Sequence, residues 1–484
     1  MKKIYILIAI LIFSISYAQH DDRYVPETDP LVLEKIAKWQ DLKFGLLMHW
    51  GPYSQWGVVE SWSICAEDEG WCRRNIDDYA LYKEKYEKLK NTFNPVKFDP
   101  DKWATAAADA GMKYMVFTTK HHDGFSMFDT KLTDYKISAE GTPFSSHPRA
   151  NITKELFNAF RDKGLWVGAY FSKPDWHSPY YWWPNFATPD RNVNYDPLEY
   201  PGRWQKFVDF THGQINELTS EYGKVDILWL DGGWVAKMSD GEIREWYKGM
   251  LQSNPNGFIK KRVVSQDIKI DELAKIARKN QPGILVVDRA VYGKHQNYLT
   301  PENRVPDQLL PYPWESCIIA GGGWSWVNDP KFKSPREVIH LLVDIVSKGG
   351  NLLLNIAPSP EGTWHGDAYK LLNDIGKWMA VNDEAIYSTK PIEPYKEGQV
   401  RVTKKDGAVY AIYLGADDEN GPPSKIWLSS IQPKNDAKLT LLGTEQSLQW
   451  EKAENGVVIE IPDTIRQEPP CDFAWVVKIS TIID

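Results

Sequence analysis

Cysteine is scarce in this chain: Cys65, Cys72, Cys317 and Cys471 are the only four among 484 residues. Their spacing fits no zinc template, so a structural zinc module is not expected. Two states stay open for them, a disulfide between Cys65 and Cys72, the pair closest in sequence, or buried free thiols. Basic tracts are missing too, and the formal net charge is -8, which argues against a nucleic-acid or anionic-membrane partner. Beyond the first residues no apolar run reaches the roughly 20 residues that span a bilayer, so membrane insertion is not expected. Internal repeats and low-complexity tracts are absent as well. What is left is a globular chain long enough for a large core and more than one domain.

Aromatic residues, by contrast, are abundant, with 22 Trp and 24 Tyr. Indole and phenol are rigid, flat and amphipathic, and the C–H faces of sugar rings pack on such surfaces, so a glycan site is a reasonable expectation beside ordinary core filling. The first residues read as an export leader, residues 1–18. Lys2 and Lys3 precede the apolar run Ile4 to Ile15 and the small-residue site Ser16-Tyr17-Ala18, and no Cys follows to suggest a lipid anchor. The mature chain is expected to begin near Gln19, in the periplasm or outside the cell.

Short apolar strands then alternate with amphipathic helices. Strands are expected at Phe44 to Met48, Tyr114 to Thr119, Trp166 to Ser172, Val225 to Leu230, Arg262 to Val264, Ile284 to Val287, Ser316 to Ile319 and Leu352 to Ile356. Helices are expected at Asp101 to Gly111, Thr153 to Gly164, Tyr200 to Gly223 and Pro335 to Lys348. About eight such units predict a parallel α/β fold closed into a (β/α)8-like barrel over residues 19–388. After Ser388 the pattern changes to β-rich runs separated by Gly, Pro, Asn and Asp: Gln399 to Thr403, Ala408 to Leu414, Lys425 to Leu428, Lys438 to Leu442, Gly456 to Ile461 and Ala474 to Ile479. Residues 389–484 are expected to form an antiparallel β-sandwich.

One strand carries most of the chemistry. In Val225-Asp226-Ile227-Leu228-Trp229-Leu230-Asp231-Gly232-Gly233-Trp234 an apolar run ends in a carboxylate and two glycines. Side chains alternate along a strand, so Ile227, Trp229 and Asp231 share one face, and the glycines let the chain turn away sharply. His49, His121, His122, Tyr170 and Arg289 likewise lie in or just after predicted strands, and in a barrel those strand ends meet at the face where active sites lie. Adjacent histidines followed by Asp123 could suggest a metal. Strand neighbours point to opposite faces, however, and no spaced third ligand is evident, so no metal is expected. Neutral imidazoles suit sugar hydroxyls instead. Glycoside hydrolysis needs a second carboxyl group, about 5–5.5 Å from the first for retention and about 6.5–9.5 Å for inversion. Glu302 in a Pro-punctuated loop is favoured by position; Glu315, which starts a strand, is the alternative.

Taken together, Lys43-Phe44-Gly45-Leu46-Leu47-Met48-His49-Trp50-Gly51, Thr118-Thr119-Lys120-His121-His122-Asp123-Gly124-Phe125, Leu228-Trp229-Leu230-Asp231-Gly232-Gly233, Trp314-Glu315 and Asn351-Leu352-Leu353-Leu354-Asn355-Ile356 resemble, in this order, the α-L-fucosidases of glycoside hydrolase family 29. The resemblance runs from about residue 35 to 390 and implies a retaining exo-hydrolase of fucosylated glycans, without cofactor, built as a barrel followed by a β-sandwich. Carried over by position, it implies Asp231 as nucleophile and Glu302 as acid/base. It places His49, Trp71, His121, His122, Tyr170, Trp229 and Arg289 around the sugar and Trp326 under its methyl group. The chain departs at Gly70-Trp71-Cys72, where relatives commonly have Glu-Trp-Tyr, and Glu67 or Glu69 are the candidate replacements. Another retaining exo-glycosidase, of the galactoside type, and a non-catalytic glycan-binding protein are the alternative functions.

Overall fold

The computed structural model describes residues 24–65, 74–255 and 263–482. The expected leader, Trp71, Cys72, Glu67 and Glu69 lie outside these residues, and so does the expected Cys65–Cys72 pair. Seven parallel strands form the central sheet: β1 Phe44–Met48, β2 Tyr114–Lys120, β3 Trp166–Ser172, β4 Ile227–Asp231, β5 Leu285–Asp288, β6 Glu315–Ile319 and β7 Asn351–Asn355. Their spatial order is β5-β4-β3-β2-β1-β7-β6, each parallel to its neighbour. Apolar runs buried on both faces are what such strands require.

The expected strand at Arg262 to Val264 is not seen among the described residues. Arg262 lies outside the described residues, and Val263 and Val264 are irregular, between the helices Asp240–Ser253 and Ile270–Asn280. The space between the edges β5 and β6 is filled by residues 295–303. Asp288 and Asn297 N–H groups exchange bonds with the His295 and Val286 carbonyls on the β5 side. On the β6 side Leu299 N–H donates to Pro313 O, Glu315 N–H to Leu299 O, Cys317 N–H to Pro301 O and Asn303 N–H to Cys317 O. This irregular segment joins the two edges and leaves no open row of backbone groups there, which is what barrel closure requires.

Alternation sorts the side chains as period-2 geometry dictates. Leu47, Tyr114, Val116, Tyr170, Ile227, Trp229, Val287, Cys317 and Leu353 pack together in one buried cluster inside the barrel, while Leu46, Met115, Phe171, Leu228, Leu230 and Leu352 pack outward on the helices. The helix Pro30–Leu42, capped by Asp29, adds Val32, Ile36 and Trp39 to the interior cluster. It lies at the N-terminal ends of the strands, where Lys35 pairs with Asp226 and Asn351 donates to Trp39 O. The opposite, C-terminal end stays open for a site.

The C-terminal strands are β8 Lys390–Glu397, β9 Val400–Lys405, β10 Ala408–Leu414, β11 Lys425–Leu428, β12 Leu439–Leu441, β13 Gln449–Ala453, β14 Gly456–Glu460 and β15 Ala474–Ile479. They build two antiparallel sheets, β12-β15-β10-β9-β8 and β11-β14-β13. Val402, Val409, Ala411, Ile426, Val457, Ile459, Trp475 and Val477 form the core between them. Tyr410, Ile412, Leu414 and Val476 point the other way into the barrel's helical layer, and Trp378 donates its indole N–H to Ala474 O. Two strands went unforeseen, β8 and β13. Both are sheet edges, and a strand with one unpaired side tolerates the prolines of β8 and the charges of β13 that hide the apolar signal. Among the described residues no helix is long and apolar enough to cross a membrane.

Candidate active site

The C-terminal ends of the strands open into a cavity of about 1510 Å³ lined by His49, His121, His122, Tyr170, Trp229, Asp231, Arg289 and Glu302. Eight of the ten residues expected at the site therefore meet in one place. Trp71 lies outside the described residues. Trp326 does not line the cavity; its ring sits 6.1 Å from that of His365, and it is Trp324, two residues earlier, that lines the wall.

Asp231 ends β4 on the inward face, as alternation predicts. Its Oδ2 accepts from the Tyr170 hydroxyl at 2.7 Å, and its Oδ1 from Arg289 at 3.2 Å. His122 Nε2 stands 3.9 Å from Oδ2. Burial alone would raise this carboxyl; Arg289, His122 and the Tyr170 hydroxyl overcome it and hold the group well below the usual carboxylate range. Asp231 is thus an ionised base of low proton affinity, suited to attack rather than to proton transfer. Gly232 follows at φ 87°, a left-handed turn in which an added Cβ would lie 2.3 Å from Pro174 Cδ. Only glycine lets the chain leave the strand there.

Glu302 comes from the irregular stave. Arg289 donates its second terminal nitrogen to Glu302 Oε2, and the Trp324 indole N–H donates to Oε1 at 3.1 Å. One guanidinium therefore joins the two carboxylates. Asn303 fixes the backbone just after Glu302: it adopts φ 48°, its N–H bonds Cys317 O, and its side-chain oxygen accepts from Ile319 N–H at 3.1 Å. Asn is among the few L-residues that enter this region readily, because its short amide can mimic a backbone group.

Three imidazoles complete the wall, and burial keeps all of them neutral. The His49 ring is pushed down to about 4 and that of His122 to about 3; His121 falls well below its ordinary value, helped by the two neighbouring rings. Each is oriented through Nδ1, His121 by Ser61, His122 by Ser172 at 2.5 Å and His49 by Asn355 at 2.9 Å. Asn355 Nδ2 donates to Trp324 O at 2.8 Å, so its oxygen faces His49. His49 then carries its proton on Nδ1 and offers Nε2 as an acceptor to a hydroxyl in the cavity. Tyr170 stacks on Trp229 at 5.2 Å, and the Arg289 guanidinium lies 5.1 Å from the centre of the same indole. Phe171, the next residue along β3, points outward into the helical layer.

The motif around the histidines is held from behind. Lys120 pairs with Asp175 at 3.2 Å, both buried, and Asp123 accepts from the Tyr86 hydroxyl at 2.8 Å and from Phe125 N–H. Gly124, at φ 80°, passes so close to Asp175 that a Cβ would lie 2.2 Å from its Oδ1. Lys120, Asp123 and Gly124 are thereby constrained from behind, and the two histidines between them are held in place. Among the described residues His121, His122 and Asp231 form the group whose possible ligand atoms lie within 4.8 Å of one another. Both oxygens of that carboxylate already have donors, and its charge is answered by Arg289.

Among the cavity residues that escaped sequence reasoning, besides Trp324, are Trp62 and Glu60. Trp62 follows Ser61 on a short turn and meets His122 edge to face at 5.2 Å. Glu60 is buried against the 323–326 loop, with Oε1 accepting from Ser325 N–H at 2.9 Å. Burial, with help from Glu302 and Asp231, raises its carboxyl to about 8. Neither stands in a motif or on a regular strand. The expected alternative acid, Glu315, is sealed inside the barrel, accepting from the Tyr114 hydroxyl at 2.6 Å and the Trp229 indole at 3.3 Å.

Known proteins resemble this chain in sequence and in fold. The alpha-L-fucosidase family profile matches residues 11–384, and that of the alpha-L-fucosidase C-terminal domain matches residues 395–480. Human tissue alpha-L-fucosidase is 29% identical over 98% of this chain and 97% of its own length. An alpha-L-fucosidase of Branchiostoma floridae is 26% identical over 98% and 99%. Among solved structures, alpha-L-fucosidase isoenzyme 1 from Paenibacillus thiaminolyticus superposes with a TM-score of 0.71 at 29% identity, covering 94% of this chain and all of that one. The Thermotoga maritima alpha-fucosidase, solved in complex with fucose, gives 0.69 at 25% identity over 94% of this chain. A barrel and a following β-sandwich that match these proteins nearly end to end, with paired carboxylates at the barrel mouth, lead to one assignment: the chain belongs to the alpha-L-fucosidase family of glycoside hydrolases.

Proposed function

We propose that this enzyme removes terminal α-L-fucosyl residues from glycans with retention of configuration, through a covalent fucosyl-enzyme. Asp231 attacks the anomeric carbon while Glu302 protonates the departing oxygen; Glu302 then takes a proton from the water that breaks the ester. The observation that carries this reading is the single guanidinium of Arg289 bonded to both carboxylates. The width of one guanidinium favours the shorter of the two carboxyl separations, which leaves no room for an intervening water. It also suits different roles for the two acids, one deep and held ionised, the other reaching toward solvent.

His49, His121, His122, Tyr170 and Trp229 line the sugar pocket in this scheme, with Glu60 and Trp62 beside them. The catalytic unit is assigned to residues 19–388 and the β-sandwich to residues 389–484, following the change from parallel to antiparallel pairing between β7 and β8. Residues 1–18 are assigned to export, on their charged start, apolar run and small-residue site; N-terminal sequencing of the protein recovered from its host tests this. The mechanism is tested by proton NMR during hydrolysis of an aryl α-L-fucoside. Retention releases α-L-fucose first, with the β anomer appearing only as mutarotation proceeds. Early β-L-fucose would overturn the double displacement, and turnover of other aryl glycosides in preference to the fucoside would overturn the sugar assignment.

A further inference from the structure

The cavity is larger than one deoxysugar needs. At about 1510 Å³ it exceeds the roughly 300–1,000 Å³ of pockets that enclose a drug-sized ligand. The residues that surround Asp231 form only part of its lining. Residues 304–312, which follow Glu302 in the chain, and Tyr292, from the turn after β5, form another part of the wall. A general acid must stand beside the oxygen that it protonates, so the leaving group lies on the Glu302 side, against the wall that follows it in the chain.

We infer that this outer wall is a binding site for the leaving-group side of an uncharged oligosaccharide, holding sugar units beyond the one next to the cleaved bond. The inference rests on the fucosidase reading above and deepens it. Three observations support it. The wall is fixed before any ligand arrives: Arg304 O accepts from Ser316 at 2.7 Å, Pro306 O from Lys348 at 2.9 Å, and Asp307 O from Tyr395 of β8 at 3.0 Å. A segment whose carbonyls are tied by residues of a strand, a helix end and the sandwich presents its side chains with little ordering left to do. Its chemistry is that of sugar recognition, with Gln308 and one charge of each sign, Arg304 and Asp307, for hydroxyls, and Leu309 and Tyr292 for C–H faces. A polyanionic glycan would call for a surplus of cations, which these residues do not give. Finally, Tyr292 is held at φ 58° by a bond from its N–H to Gln296 Oε1 at 2.9 Å. A bulky aromatic in left-handed backbone is a strained arrangement that persists where surroundings impose it, and such strain clusters at ligand-binding positions.

The test compares kcat/KM of the full-length enzyme on an aryl α-L-fucoside, a fucosylated disaccharide and a longer neutral oligosaccharide ending in the same linkage. The longer substrate is expected to exceed the disaccharide by about tenfold or more, the equivalent of about 1.4 kcal/mol of added transition-state binding. In the double variant Tyr292→Ala, Gln308→Ala that advantage should shrink severalfold, with the loss on the oligosaccharide exceeding the loss on the aryl fucoside. The defucosylated oligosaccharide should also inhibit the wild-type enzyme competitively, a readout that needs no variant. Equal kcat/KM on the two natural substrates, or no inhibition by the defucosylated product, overturns the site. An enzyme that turns over the aryl fucoside but shows no length dependence loses this inference alone, whereas one inert on every α-L-fucoside loses the underlying reading.

Discussion

Two glutamates reach this barrel at neighbouring places on β6, and they differ in almost everything that matters chemically. Glu302 sits opposite Cys317, on the irregular stave, with 43% of its side chain exposed. Glu315 begins β6 itself and has no exposure at all. The rim glutamate is bonded by a guanidinium and an indole beside an ionised aspartate. The deep one is bonded by a phenol and an indole, and burial pushes its carboxyl up to about 7. Identical side chains thus sit in opposite settings: one is open to solvent at the cavity, while the other holds the Trp229 indole from inside the barrel.

The largest effect belongs to Asp231, which shares the Arg289 guanidinium with the rim glutamate. Asp231→Gly should lower turnover of an aryl α-L-fucoside by roughly four orders of magnitude or more while the protein stays folded, and added azide should restore activity by forming β-fucosyl azide. Near-normal rates in the folded variant would remove Asp231 from the mechanism.

Glu302→Ala should slow hydrolysis of a natural disaccharide by about 10²- to 10⁴-fold. It should spare the first step on a dinitrophenyl fucoside, whose leaving group departs without a proton, and azide should speed breakdown of the intermediate. In Glu315→Ala those signatures should be absent. That change leaves two buried donors without an acceptor, at about 1–3 kcal/mol each, and should appear in the melting temperature and on all substrates alike. The deep acid also gives a pH test. Its ordinary value is 4.5 and its folded value about 7, so folding favours its protonated form. The stability it contributes is complete below about pH 4.5 and is lost as pH rises through about 7. The melting temperature of Glu315→Gln should therefore fall less than that of the wild type between acidic and mildly alkaline pH; parallel profiles would contradict the sealed setting.

The smallest expected effect sharpens the rim. Trp324→Phe keeps a ring in the wall but removes the N–H that bonds Glu302. A single hydrogen bond is worth about 0.5–1.5 kcal/mol, and the exposure of Glu302 places the effect at the low end. The loss should be greater for poor leaving groups than for good ones. Trp326→Ala, outside the cavity, should change fucose binding less than Trp324→Ala does, which calorimetry with fucose can check.

Why some of this was legible in the sequence and some not follows from how each residue is held. Asp231, His49, His121, His122 and Tyr170 lie on or next to strands, where period 2 and an apolar run tell which way a side chain points. Seven of the expected barrel strands were legible for the same reason. The remaining stave was not: His295-Gln296-Asn297-Tyr298-Leu299-Thr300-Pro301-Glu302-Asn303 has neither an apolar run nor alternation, because its backbone bonds are irregular and Pro301 donates none. Val263-Val264 drew the strand assignment instead through its β-branched side chains alone. In Gly321-Gly322-Gly323-Trp324-Ser325-Trp326 two indoles stand two residues apart in a loop without regular period, so only the folded loop decides which enters the cavity. Glu60 carried no signal either, since its role comes from burial against Ser325, far away in sequence.

The division of labour at the rim is tested most directly by trapping the enzyme with a 2-fluoro-fucosyl fluoride and mapping the labelled peptide by mass spectrometry. Fluorine at C2 slows breakdown of the glycosyl-enzyme, and replacing Glu302 by Gln slows it further, so the intermediate accumulates. The expected result is one fluorofucosyl unit per chain, attached to Asp231. A label on Glu302, Glu60 or Glu315 would contradict the assignment of Asp231 as the nucleophile.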